Sequence, residues 1–480
     1  MKKKILCLLF PFMLFSASDT TNISDEKGLT LNEAMSLLES QNLEIKVANI
    51  ELKTAKEDVK TVSGMHWGKL DLIQDVARSN DAGNVFGFKL TSREANFRDF
   101  GFSDFLGGVG GALKQANGDF AAFSQIMANP NMANQLLETQ PNDLNYPEDR
   151  NFFQTKLKYE VPLFTGFKIS SYKNIMQSVA KLKSLDKEKV KKEKKYQLRK
   201  SFYDMALLKA SIKHLNIIHK NIEILEKMTK EMIDVGYAKK IDLLEVQAKK
   251  ANVERLIMQM EANKKLLYHF ISFLLNQKVS NIITPTKQVP MPNYTDEYVL
   301  SHNLDIQKAS TGLSITKNQI DAEKSAFYPM VGAFAELATA DNSFLGEAND
   351  HKAYTVGARL TWNLYNGGID DAKVQKAKLQ SLKVSSQVEL AKKGIKLQIA
   401  KIRTEIKSLD SEIASLKKEL DLADAIYKNY EGRYKEKLVS MSDVIIKQSQ
   451  QIEKVLQLQM AINKRTERII ALEKLANGDE

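Results

Sequence analysis

The sequence predicts a mainly α chain with a membrane β-barrel component: long coiled-coil helical hairpins and four β-strands per chain. Three observations predict it. Apolar residues keep three- and four-residue spacings over dozens of positions. Strict two-residue alternation appears elsewhere, and both patterns occur twice along the 480 residues.

The longest helical pattern runs Ile399, Ile402, Ile406, Leu409, Ile413, Leu416, Leu420, Ala423, Tyr427, Tyr430, Tyr434. Those spacings are a sustained heptad seam, the mark of coiled-coil packing. The first half carries a looser version through Leu198, Met205, Leu208, Ile212, Leu215 and Ile222. No proline interrupts Lys168 to Gly236 or Ile369 to Lys437. At 1.5 Å per residue, about 68 residues span roughly 100 Å. An enzyme domain rarely needs such a length, whereas a structure bridging a wide compartment does. Gly236 is placed to end the first long helix. Asp242 with Glu245 then reads as a capping box opening the next, and Ser440 with Asp443 has the same spacing.

The strand signature is period two. Phe153, Thr155, Leu157, Tyr159, Val161 and Leu163 alternate with Gln154, Lys156, Lys158 and Glu160. Tyr354, Val356, Ala358, Leu360, Trp362 and Leu364 alternate with Thr355, Gly357, Arg359, Thr361 and Asn363. Two weaker strands are expected at Trp67 to Ala77 and Tyr328 to Ala338. The length, about eleven residues, suits a tilted membrane strand with one face on lipid. Tyr159, Phe164, Tyr354, Trp362 and Tyr365 fall where an aromatic girdle would sit. Four strands cannot close a membrane barrel, so other copies of the chain must complete the sheet: two copies give eight strands, three give twelve.

The chain is a duplication. Asn42-Leu43-Glu44-Ile45 returns as Asn303-Leu304-Asp305-Ile306, 261 positions on. Leu163-Phe164-Thr165-Gly166 returns as Leu364-Tyr365-Asn366-Gly367, and Asp242-Leu243-Leu244 as Asp443-Val444-Ile445, both 201 positions on. The change of offset places about 60 extra residues between Trp67 and Leu163. Residues 80 to 150 are rich in Gly, Asn, Phe and Pro and read as a long loop, with a short helix near Met132 to Glu138. The expected organisation is a first repeat over 19–283, a Pro-bearing linker over 284–293, and a second repeat over 294–480.

Residues 1–18 read as a secretory signal: Lys2, Lys3 and Lys4, an apolar run from Ile5 to Phe15, then Ser16-Ala17-Ser18. Cys7, the single cysteine, lies inside it, so the mature chain is expected to hold no thiol. No later apolar stretch is long enough for a spanning helix, so any membrane crossing must use strands. The net charge of +11 is spread along helices and interleaved with acids, which argues against nucleic acid as a partner.

No catalytic constellation, cofactor motif or metal-ligand spacing emerges. The histidines are His66, His214, His219, His269, His302 and His351; the five-residue step from His214 to His219 does not share a helix face. Gly166, Gly367 and Gly368 read as tight strand-to-helix junctions needing positive φ. Asp242 and Asp443 occupy matched helix–helix turns. They read either as simple caps or, repeated about the axis of a symmetric oligomer, as a carboxylate ring that gates a tunnel.

Together, Leu29-Thr30-Leu31-Asn32-Glu33-Ala34, the two Asn-Leu-acidic-Ile segments, Tyr328-Pro329 and Trp362-Asn363-Leu364-Tyr365-Asn366-Gly367-Gly368 resemble the TolC-type outer-membrane efflux family over nearly all of the mature chain. The resemblance implies a homotrimer with a twelve-stranded barrel in outer-membrane lipid and a helical tunnel through the periplasm. It also implies docking to a periplasmic adaptor protein and an inner-membrane efflux pump or ABC transporter. The chain would be a passive duct and not an enzyme. Carried over by position, Asp443 is an acidic gate residue, Tyr434 a member of the closing network, and Asp242 its partner. Ile446, Val439 and Lys437 depart from the family pattern, with Arg433 or Lys437 as replacement cations. Small amphiphiles, metal ions and polypeptides stay open as cargo. The rival is an exported coiled-coil tether or adhesin without a pore.

Overall fold

A computed structural model describes residues 28–286, 289–344 and 351–478. The signal segment at 1–18 lies outside the described residues. The elements are α1 (Leu31–Gln41), α2 (Leu43–Gly64), β1 (Lys69–Ser79), α3 (Ala82–Thr91), α4 (Phe102–Gln115), α5 (Phe120–Met127), α6 (Pro130–Leu137), α7 (Asn142–Asn145), β2 (Arg150–Phe164), α8 (Lys168–Asp234), α9 (Lys240–Leu275), α10 (Asp296–His302), α11 (Leu304–Lys324), β3 (Met330–Asp341), β4 (Lys352–Thr361), α12 (Ile369–Lys435) and α13 (Met441–Ala476).

The chain forms two compact units. The first takes the described parts of Met1–Leu52, Lys183–Ala309 and Gln387–Glu480; the second takes Lys53–Leu182 and Ser310–Ser386.

In the first unit the heptad seams are the core. Ile399, Ile402, Ile406 and Leu409 of α12 are buried, as are Leu198, Met205 and Leu215 of α8. Each seam packs on the helix that returns from its turn: Ile399 clusters with Ile469, Leu472 and Leu475, and Leu198 with Ile271 and Leu274. The repeated asparagines explain the Asn-Leu-acidic-Ile motif. Asn42 caps α2 by accepting the Ile45 N–H at 3.0 Å, and its amide donates to the Leu274 carbonyl at 2.8 Å. Asn303 accepts the Ile306 N–H at 3.2 Å and donates to the Leu475 carbonyl at 3.0 Å. Both side chains are buried, so each satisfies a helix start and a helix end in one step.

In the second unit the four strands form one antiparallel sheet in the order β1-β2-β3-β4. The register sorts the side chains. Leu72 pairs with Leu157, Leu157 with Leu337, and Leu337 with Tyr354; Leu70, Tyr159, Ala335 and Val356 form the next row. The opposite face carries Lys69 with Glu160, and Asp71, Lys158, Glu336 and Thr355 in one row, with Ile73, Phe152 and Phe334 as its large apolar exceptions. Ion pairs lace that polar face: Lys158–Glu160 at 2.7 Å, Lys69–Asp71 at 2.9 Å and Lys156–Asp75 at 3.1 Å. Pro162 sits at a register shift next to Phe164, where a missing N–H is tolerated.

The insertion departs from the sequence expectation. Residues 80 to 150 read as a long loop with a short helix near Met132 to Glu138; α6 matches that helix, and the structure builds four more, α3 to α5 and α7. Asp81, Asp119 and Asn129 each cap one by accepting backbone N–H groups two or three residues on. A small apolar core of Val85, Ala112, Ala116 and Leu136 is buried, and the Phe88 ring stacks on Phe152 of β2 at 4.3 Å. One of these glycines lets two short helices cross closely: a Cβ on Gly108 of α4 would lie 2.5 Å from Leu136 Cδ2 of α6.

Candidate gate at the paired helix turns

The turns from α8 to α9 and from α12 to α13 share one backbone. Gly236 and Lys437 both adopt positive φ, +80° and +64°. The following N–H in each turn reaches back to close the helix: Tyr237 to the Met232 carbonyl at 2.8 Å, Leu438 to Arg433 at 2.9 Å. This is the left-handed helix stop that glycine serves without strain; the second turn makes it with a lysine. The Lys437 ammonium lies 3.1 Å from the centre of the Tyr237 ring, so a cation–π contact links the two turns.

Asp242 and Asp443 both stand at the third position of the outgoing helix. Asp443 closes a full capping box: its carboxylate accepts the Ser440 hydroxyl at 2.6 Å and the Ser440 N–H at 3.1 Å, and the Asp443 N–H donates to Ser440 Oγ at 3.2 Å. The Ser440 hydroxyl and N–H hold its carboxyl below the usual range, with Lys447 and Arg433 adding a smaller pull. The Asp242–Glu245 box expected from the sequence is not what forms. Lys239 is the cap residue, and Asp242 reaches back to its N–H at 2.7 Å. Lysine has no acceptor to return the bond, so the first turn has half a box.

Tyr434 is buried against α8 and α9, in a core with Ile222, Leu225, Val246 and Met441. Burial raises its phenol above the ordinary value; the Thr229 hydroxyl acts against that, and the Asp242 charge adds to it. Tyr434 thus feels the Asp242 charge from the other repeat, but no hydrogen bond joins the two among the described residues. Asp443 makes its hydrogen bonds inside its own turn. Of the two cations considered as replacements, Arg433 acts on Asp443 only through its charge and lies over Tyr430, while Lys437 is engaged by Tyr237.

A clamp beside the first turn escaped the sequence reading. Glu226 of α8 binds Lys230 at 2.8 Å, and Lys250 and Gln247 of α9 at 3.2 and 3.4 Å. Lys230 first, then Lys250 and Gln247, lower its carboxyl to about 2. The i,i+4 Glu–Lys pair was visible in the sequence; the lysine from α9 was not. The matched position in the second hairpin holds Tyr427, fully buried, whose hydroxyl accepts from Gln448 at 3.4 Å.

The junction glycines lie in the other unit. Gly166 has φ +61°, and a Cβ there would meet the Ser325 carbonyl at 2.6 Å and Tyr328 Cβ at 2.8 Å. Gly367 and Gly368 have φ +71° and +81° with open space around them, so backbone conformation alone asks for glycine. In the first repeat Phe167 takes the second left-handed position at φ +66°, its ring edge-on to Phe164 and Tyr328. Trp362 closes this end by donating its indole N–H to the Phe327 carbonyl at 3.2 Å.

Duplicated helical hairpins with two strands per repeat define a class: the fold is that of TolC-type outer-membrane channels. Solved structures agree. The chain resembles CusC, described in the context of transmembrane channel formation, with a TM-score of 0.74 at 12% identity over 94% of this chain and 92% of that one. It resembles the outer membrane protein VceC from Vibrio cholerae with a TM-score of 0.73 at 13% identity, over 93% and 96%. The Campylobacter jejuni CmeC outer membrane channel gives 0.72 at 13%, over 93% and 85%. Within this fold the model of the outer membrane efflux protein family matches residues 297–478 of the second repeat. No curated protein matches the sequence.

Proposed function

We propose that the protein is an outer-membrane channel subunit, a passive exit duct for substrates delivered by an inner-membrane efflux pump or ABC transporter through a periplasmic adaptor. The observation that carries this is the sheet. Leu70, Leu72, Val76, Leu337, Tyr354, Val356 and Leu360 share one face and are all more than half exposed. Burying such a row against lipid is worth on the order of 25 cal/mol per Å² of apolar surface. Strands of 10 to 15 residues match the tilted span of a barrel wall.

The edges β1 and β4 lack partner strands among the described residues. Three copies pairing β1 to β4 give a closed twelve-stranded barrel with the charged face inward. Trp67, Trp362 and Tyr365, exposed at one end, suit the lipid headgroup level. Among the described residues no helix is long and apolar enough to cross a membrane. A pore-free coiled-coil tether would leave the apolar face uncovered. In this reading Asp443, Asp242 and Tyr434 form the periplasmic gate, repeated three times about the axis.

Purified protein in a planar bilayer is expected to run as a detergent-resistant trimer and to give single-channel currents. Asp443→Ala and Asp242→Ala are each expected to raise conductance. A soluble, non-conducting monomer sinks the duct, and unchanged conductance in both variants reduces the aspartates to plain caps.

A further inference from the structure

We propose that Glu94, Asp341 and His351 form a binding site for a divalent transition-metal ion that clasps the helical insertion to the end of the sheet. Glu94 follows α3, Asp341 ends β3 and His351 immediately precedes β4. One ligand atom from each lies within 4.8 Å of the other two. Asp341 is buried, and the His351 side chain is only 12% exposed.

Two features separate this cluster from an ordinary ion pair. The His351 Nδ1 is buried and makes no hydrogen bond among the described residues, standing 4.0 Å from Glu94 Oε1. Buried polar atoms in folded proteins nearly always have a partner, so an orphaned imidazole nitrogen aimed at a carboxylate asks for an acid between them. Charge supplies the second feature. Arg150 pairs with Glu94 through the other carboxylate oxygen and also acts on Asp341. One guanidinium thus answers to two carboxylates, Glu94 and Asp341.

An ion bound at about 2.0–2.2 Å to imidazole nitrogen and carboxylate oxygens brings its donors to roughly 3.3 Å apart, a closure of ~1 Å from the present spacing. One imidazole with two carboxylates and no sulfur favours zinc, or manganese, over cuprous ion. Water would complete the shell. Asp341 Oδ1 accepts the Asn342 N–H at 2.6 Å, which orients that carboxylate.

The test is calorimetric titration of ZnCl₂ into the full chain, purified in detergent and stripped with EDTA, alongside proteolysis of residues 82–149. One saturable site per chain is expected, weakened at least ~10-fold by His351→Gln and by Glu94→Gln. Zinc should also slow cleavage of the insertion in the parent but not in the variants. Both substitutions preserve side-chain size, and circular dichroism with trimer migration checks folding; should one variant fail that check, the other carries the comparison. Equal zinc affinity in the parent and the folded variants overturns the proposal. So does protection of the insertion that follows pH while ignoring zinc, since that outcome assigns the gap to a proton.

Discussion

The first and second hairpin turns are built on one backbone and furnished differently. α8 and α12 are each 67 residues long, α9 and α13 each 36. The left-handed stop and the carboxylate at the third helical position recur 201 residues apart. Between these fixed points the chemistry diverges. The first turn has glycine at the stop, a half-box at Lys239 and a charged clamp at Glu226; the second has Lys437, the complete Ser440–Asp443 box and the buried Tyr427 and Tyr434. What the backbone demands has been retained in both copies. The side chains between them differ: Glu226 ties α8 to α9 by charge, where Tyr427 at the matched position is buried between α12 and α13.

The largest break in that comparison should come from Tyr434. Tyr434→Ala removes a buried aromatic and is expected to cost about 3–5 kcal/mol in urea unfolding followed by helical circular dichroism. Ile233→Ala, its counterpart in the first turn, is only half-buried and should cost about 1–2 kcal/mol. Tyr434→Phe keeps the packing and removes only the buried hydroxyl. It should leave stability within about 1 kcal/mol and still raise conductance if the gate reading holds. Equal losses for the two alanine variants would erase the contrast between charge and packing.

Acid should separate the turns next. The Glu226 carboxyl is lowered from 4.5 to about 2 in the folded chain. A depressed carboxyl contributes stability that is fully present above its unfolded pKa and is lost as pH falls toward the folded one. The loss therefore belongs between about pH 4.5 and 2. Tyr427, pushed upward by burial, stays protonated throughout that window. Hydrogen exchange at pH 3 should open the α8–α9 end before the α12–α13 end. Glu226→Gln should flatten that difference and cost on the order of 1.5–3 kcal/mol at neutral pH. Simultaneous opening at pH 3 would count against the clamp.

The same contrast shows what sequence can and cannot carry. Heptad spacing found both seams because each helix supplies its own periodicity, and Ile399 through Leu416 are buried where that period places them. Alternation found the strands for the same reason, and the offset arithmetic survives down to matched caps at Asn276 and Asn477. The insertion failed because composition was weighed above capping: Asp81, Asp119, Asn129 and Pro130 announced helix starts that Gly and Asn content obscured. The Lys437–Tyr237 contact and the Glu94–Asp341–His351 cluster join residues from distant segments. No local period records such pairs, and a histidine beyond β3 gives no sign of an acid after α3 until the sheet brings them together.

Ser440→Ala dismantles the only complete box of the two turns and should cost about 1 kcal/mol. The reciprocal change, Lys239→Ser, should complete the half-box of the first turn and recover about 0.5–1 kcal/mol, both read from thermal midpoints.

The smallest effect tests the one residue that breaks the backbone rule. A lysine at φ +64° is strained by roughly 1 kcal/mol relative to glycine. Against this stands the ring contact with Tyr237, worth about 0.5–1 kcal/mol at an exposed site. Lys437→Gly should therefore be nearly neutral, because relief and loss offset. Made in a Tyr237→Ala background, where no ring remains to lose, the same substitution should stabilise by about 1 kcal/mol. That double-mutant difference isolates the link between the turns, and its absence would mean that Lys437 is only tolerated at the helix stop.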